Sequence, residues 1–260
     1  MKVNFTSIVS IVFFIASLVF SQQSGRQPSR DSQDRNEAGG RAERDDFVPI
    51  PAGEFMMGSV IGGVDERPIH KVRISGGLEM SKYEVTQKQW QEAMGNNPSA
   101  FKGENLPVQK VTWHDTQAFI KKMNQKNDGY VYRLPGEAEW EYACRAGNTG
   151  DFPQNIDSLA WFYGNSGGRP RPVGTKRPNA WGLYDIPGNV WEWCQDWYSE
   201  TYYSKSPVLD PMGPESGSVR VVRRGSFLNN ARDCRYGLRT GITPDYISGD
   251  LGFRLVRRKR

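Results

Sequence analysis

From Gly147 onward the chain has almost no recognisable hydrophobic period, and glycine, proline, asparagine, tryptophan and tyrosine dominate it. The segment PNAWGLYDIPGNVWEWCQDWY (Pro178–Tyr198) sets Trp181, Trp191, Trp193 and Trp197 among turn residues. Aromatic- and glycine-rich sequence of this kind packs as irregular loops around short strands, with the rings filling the interior. A ligand-stacking surface is the alternative use of these four tryptophans. No internal repeat is present. The fold class implied is α+β, a single domain with unusually high loop content.

Upstream of Gly147 the periods are readable. FVPIPAGEFMMGS (Phe47–Ser59) alternates apolar residues and predicts a short hairpin or paired strands, and HKVRISG (His70–Gly76) predicts another strand. Thr86 followed by Gln89 forms a capping box that opens a helix with Trp90, Ala93 and Met94 on its apolar face. A second helix is predicted from Thr112 or Trp113 through DTQAFIKKMNQK, with Phe119, Ile120 and Met123 inward. RLPGEAEWEYACRAGN (Arg133–Asn148) predicts a third, stopping at Gly147.

The N-terminal part stands apart. Lys2 precedes the apolar run Ile8–Phe20, which is short for a membrane span and is followed by Ser21 and polar sequence. Residues 1–21 are expected to be a signal peptide, leaving no transmembrane anchor after cleavage, so the mature protein is expected to be exported. Residues 22–46 carry no large apolar side chain and are expected to be a disordered linker. The remaining stretch, 47–260, is one domain's worth of chain.

Charge excludes little. The net charge is +5, and the densest basic runs are Arg220–Arg224 and the C-terminal RRKR. Without a nucleic-acid motif, no nucleic-acid partner is expected. Two histidines, His70 and His114, rule out a three-histidine metal site within the chain, and both are expected to be structural.

Several stretches, read in order, resemble the formylglycine-generating enzyme (sulfatase-modifying factor) family: PAGEFMMGS, DERPIHKV, YEVTQKQW, PVQKVTWHDTQAFIKKMN, RLPGEAEWEYACRAG, PNAWGLYDIPGNVWEWCQDWY, RRGSF and LGFRLV. The resemblance covers Phe47 to Arg257 and implies that family's loop-rich, C-type-lectin-like fold. It also implies copper-dependent oxidation of a sulfatase cysteine to formylglycine, at a copper(I) ion held by two cysteines. Soft thiolates select copper(I). Counting from Gly225-Ser226, the first of those positions falls on Asn229 and the second on Cys234. An amide has no useful affinity for copper(I), so copper is not expected. Ser226 matches a serine beside the family's site.

Counted from the C-terminal motif, the chain is a few residues shorter than the copper enzymes, and Cys234 then lies where some members pair a cysteine with the one in EYACRAG, here Cys144. The resemblance therefore implies a Cys144–Cys234 disulfide, which export would favour. A free thiol and a copper ligand are the alternatives for Cys234. Cys194 is left as a buried, unreactive thiol. The stretch DIPGNVWE resembles a calcium loop of the family, with the side chains of Asp185 and Glu192 and the carbonyls of Gly188 and Val190 as ligands. Such a set suits a hard cation. The function expected is a binding or accessory module, with the oxidase as alternative. Its unidentified protein or small-molecule ligand would meet the C-terminal loop face through Phe227, Asn229, Tyr236 and Tyr246.

Overall fold

The structure, a computed structural model, describes residues 46–260. The expected signal peptide and all but the last residue of the expected linker lie outside the described residues. Four strands come first: β1 (Phe47–Ile50), β2 (Gly53–Met57), β3 (His70–Ile74) and β4 (Leu78–Ser81). Helices α1 (Gln87–Met94) and α2 (Trp113–Gln125) follow, then β5 (Tyr130–Arg133) and α3 (Glu137–Arg145). Two single turns, α4 (Ile156–Leu159) and α5 (Tyr163–Ser166), precede β6 (Trp191–Trp197), β7 (Arg220–Arg223), β8 (Arg239–Ile242), β9 (Leu251–Gly252) and β10 (Val256–Lys259).

The strands form three small sheets, ordered β1-β4-β10-β5, β2-β3 and β8-β7-β6-β9. All pairings are antiparallel except β6 with β9. The expected pairing within Phe47–Ser59 is not formed. β1 pairs with β4 and β2 with β3, because the Pro51-Ala52 corner sends the two strands into different sheets. Long-range closure dominates: C-terminal β10 lies between β4 and β5.

The helix signals are met in detail. Thr86 accepts the Gln89 N–H, and Gln89 accepts the Thr86 N–H in return. Trp90 is buried and stacks on Phe119 of α2 with ring centroids 5.4 Å apart. Helix α3 ends at Arg145, two residues before Gly147, because Ala146 already takes a left-handed φ of 44°. Among the tryptophans, Trp193 is fully buried and donates to the Val111 carbonyl, whereas Trp181, Trp191 and Trp197 are half-buried.

The core is unusually rich in paired charge. Glu137 and Glu141 of α3 enter it and meet Arg223 at 2.9 and 2.6 Å, while Arg239 also holds Glu137 and Arg145 holds Glu141. The basic run Arg220–Arg224 is therefore turned largely inward: Arg220 lies 3.3 Å from the Trp197 ring centroid, and Arg223 and Arg224 are buried. Among the described residues no helix is long and apolar enough to cross a membrane.

Candidate functional site

The loop after β7 turns at Arg224, whose φ is 62°, and then folds on itself through Ser226 and Asn229. Asn229 holds the turn shut. Its Oδ1 accepts from Ser226 N at 2.9 Å and from Trp191 Nε1 at 3.0 Å, and lies 2.8 Å from Ser226 Oγ. Ser226 Oγ also lies 2.7 Å from Asp250 Oδ2 and accepts the Leu228 N–H. Ser248 Oγ donates to Asp250 Oδ1, so the turn is tied to the C-terminal loop. Ser226 is fully buried and its hydroxyl is engaged on both sides. It is a strut rather than a poised nucleophile.

Cys234 is equally enclosed. It packs with Ala160 and Phe162, its Sγ lies 3.9 Å from the Asn230 carbonyl, and burial pushes its thiol up to about 11. A copper(I) site needs two accessible soft donors. This position offers one neutral, buried thiol and an amide whose oxygen is already saturated, so the residues do not fit copper(I).

The expected disulfide is not formed. Cys144, Cys194 and Cys234 are all free and buried. Cys144, on α3, packs in the main core with its Sγ near the Ile186 carbonyl, whereas Cys234 sits in a separate small cluster beside α5. Burial raises all three thiols.

The expected binding surface needs correction in two of four places. Phe227 is buried, edge-on to Phe101 at 5.8 Å, and Tyr236 is buried beneath the Arg145 and Arg224 guanidinium groups. In a loop of glycines and amides these large side chains are the packing anchors. Asn229 is half-buried, and Tyr246 is exposed. What the face presents instead is Leu228 (52 % exposed), Tyr163 (63 %), Ile247 and Phe101. Tyr163 and Phe101 escape a sequence reading because they come from distant segments; Tyr163 is placed by its N–H donating to the Asn229 carbonyl. Beside them runs a groove of ≈ 590 Å³ lined by Phe162, Tyr163, Gly164, Asn230, Ala231 and Arg232.

The calcium loop is rearranged relative to expectation. Glu192 is buried with both oxygens held by Arg254 at 2.8–3.0 Å, and Trp140 Nε1 donates to it at 2.6 Å. It has no carboxylate oxygen to spare. Asp185 differs: Oδ2 accepts from Gly174 N at 2.6 Å, while buried Oδ1 has no partner. Gly188 is required by close packing, since a Cβ there would meet the Trp161 carbonyl at 2.5 Å, and Val190 is buried. The residue that sequence reasoning missed is Glu84, between Tyr83 and the α1 cap. It is buried, Asn189 Nδ2 donates to its Oε2 at 3.3 Å, and its Oε1 is also orphaned. Burial, then the neighbouring Asp185, drives the Glu84 carboxyl well above the usual range, and burial pushes Asp185 up to about 6. Two orphaned carboxylate oxygens fit a hard cation through Asp185 and Glu84, not through Glu192. No group of three or more His, Cys, Asp or Glu side chains able to hold a metal occurs among the described residues.

The two histidines are apart from these sites. His70 Nδ1 faces the Pro68 carbonyl and its ring packs on Tyr203, while His114 is exposed beside Asp245.

Comparison with known proteins gives a consistent picture. The model of the sulfatase-modifying factor enzyme 1-like domain matches residues 32–259. A formylglycine-generating enzyme of Streptomyces coelicolor is 39 % identical over 185 residues, 64 % of this chain but only 57 % of that enzyme. The chaperone protein LppX of Paenibacillus barcinonensis is 32 % identical over 234 residues, covering 69 % of this chain and 80 % of LppX. Among solved structures, Treponema denticola variable protein 1 superposes with a TM-score of 0.75 at 33 % identity, covering 82 % of this chain and 94 % of that one. PvdO from Pseudomonas aeruginosa gives 0.73 at 29 % identity over the same shares.

Proposed function

Since the chain belongs to the sulfatase-modifying factor family, we propose that it is an exported, non-catalytic member that binds another polypeptide through its C-terminal loop face. One observation carries the reading. The resemblance puts Asn229 where the enzymes need a thiolate, and its carbonyl is spent holding the Ser226 turn closed. The remaining thiol, Cys234, is neutral and enclosed. A redox centre has thereby become a loop scaffold. Leu228, Tyr163, Tyr246 and Ile247 supply exposed apolar area on a face whose backbone is tied down by Asp250. Exposed aromatic and aliphatic anchors on a rigid base are what protein recognition uses. The chaperone relative supports a polypeptide as the partner, and the apolar run Ile8–Phe20 after Lys2 supports export. Calcium, where bound, would neutralise Asp185 and Glu84 and stiffen the 185–192 loop.

The identity with the Streptomyces enzyme keeps one alternative open to test, namely copper-dependent formation of formylglycine. Copper(I) competition titration and incubation with a sulfatase-type cysteine peptide separate the two. No tight copper(I) binding and no loss of the peptide thiol are expected; clear oxidation of the peptide overturns the reading. For the binding arm, a photocrosslinker at Leu228 is expected to label a partner in the native host, and one at exposed Val131 of β5 is not. Equal labelling from both positions would refute the assignment of the face.

A further inference from the structure

Arg224 is the exception among the buried arginines of the described residues. Among the described residues six arginines are buried: Arg145, Arg223, Arg224, Arg239, Arg254 and Arg257. Five of them meet a carboxylate, on Glu141, Glu137, Glu192 or Glu79. Arg224 is 1 % exposed, and its Nε, Nη1 and Nη2 all lack an acceptor among the described residues. Its backbone is also left-handed, with φ 62°, a conformation that disfavours side chains. A buried guanidinium without acceptors is costly, and arginine does not escape by losing its proton. Strain and desolvation at one residue mean that something compensates both.

The surroundings say what kind of group that is. The guanidinium carbon lies 4.8 Å from the Tyr236 ring centroid and 5.7 Å from that of Trp140. Its charge acts on the Cys144 and Cys234 thiols and on Tyr236, and against that of Arg223, whose Nη atoms are held by Glu137 and Glu141. No carboxylate pairs with it among the described residues. The thiols do not serve as the counter-charge at neutral pH, since burial raises both of them. The surroundings therefore combine an unpartnered guanidinium with aromatic rings and lack an anionic acceptor, the two thiols being turned to the Ile186 and Asn230 carbonyls. That is the complement of a small, weakly hydrated anion.

We propose that Arg224 holds a monovalent halide-class anion, chloride in practice, beside the Trp140 and Tyr236 rings at the base of the 224–238 loop. The anion ties the base of the 224–238 loop, where Arg224 N donates to the Leu238 carbonyl, onto helix α3, which carries Trp140 and Cys144. It thus sets the footing of the loop that carries Ser226 and Asn229. The site is independent of which partner that loop face binds.

The test is thermal unfolding of the folded chain in sodium chloride or bromide against sodium isethionate at constant ionic strength. A ligand that binds only the folded state raises Tm with the logarithm of its concentration. We expect that rise with both halides and not with isethionate, and its loss in Arg224→Met. A bromide-soaked crystal should show an anomalous peak within hydrogen-bond reach of the Arg224 nitrogens, which decides the matter should the variant not fold. Halide-independent Tm without such a peak, or an Arg224→Met chain that keeps the halide response, overturns the proposal. So does an ultraviolet thiolate band at neutral pH that disappears in Cys144→Ser or Cys234→Ser, because the counter-charge would then be internal.

Discussion

Replacing Asn229 by alanine tests the central structural claim directly. The side-chain carbonyl serves Ser226 N at 2.9 Å, Ser226 Oγ at 2.8 Å and Trp191 Nε1 at 3.0 Å. The Ser226 hydroxyl keeps its alternative acceptor, Asp250 Oδ2 at 2.7 Å, so it is not orphaned. The other two donors lose their partner. Leaving a buried donor unsatisfied costs roughly 1–3 kcal/mol, so two of them, partly relieved by water at a half-buried position, amount to about 3 kcal/mol. With a urea m-value of about 2 kcal/mol per molar, the midpoint should fall by roughly 1.5 M at unchanged m. Asn229→Asp keeps the acceptor and should recover more than half of the loss. Equilibrium urea unfolding followed by tryptophan fluorescence measures both. A loss below about 0.5 kcal/mol in Asn229→Ala would refute the reasoning, since that is the size expected of a surface substitution away from such features. The position would then be free to act on a ligand.

Three further outcomes follow from the same geometry. Glu137→Gln breaks a buried network with Arg223 and Arg239, and should cost about 3–5 kcal/mol in the same unfolding assay. Burial pushes the Glu137 carboxyl up, but Arg239 and Arg223 outweigh it and hold it below the usual range, so its contribution is lost as pH falls and the variant should have a flatter acid limb. Asp185 has the opposite sign: burial lifts it from 3.8 to about 6, so without a cation folding stability falls as pH rises across that window. The loss is on the order of 3 kcal/mol at 1.36 kcal/mol per unit. Calcium at neutral pH should restore it, Asp185→Asn should remove both effects, and a Tm unmoved by calcium in the natural chain would sink the cation assignment. Gly188→Ala should cost about 1–3 kcal/mol by thermal or urea unfolding, because its Cβ would fall 2.5 Å from the Trp161 carbonyl and the loop must shift.

Signals that live within a few residues were legible in advance. The capping pair Thr86 and Gln89, the inward Phe119 and Ile120 of α2, and the short α3 all follow from local hydrogen bonding and the helical period. The loop-rich character after Gly147 was equally readable. What was misjudged depends on neighbours far away in sequence. Phe227 and Tyr236 look like exposed loop residues until Phe101 and Arg145 arrive over them. Glu192 looks like a cation ligand until Arg254, 62 residues later, takes both oxygens.

The sequence by itself determined the family and the sparse α+β character, because motif order and turn chemistry are properties of the chain as written. Only the tertiary structure decided which carboxylates are spent and which are orphaned, which arginine lacks a partner, and which aromatics remain on the surface. Burial and charge pairing are set by what long-range closure brings together: β10 between β4 and β5, and α3 against Arg223 and Arg239. An unpaired guanidinium at Arg224 has no signature in RRGSF, since its cost arises only once the surrounding acceptors have gone elsewhere.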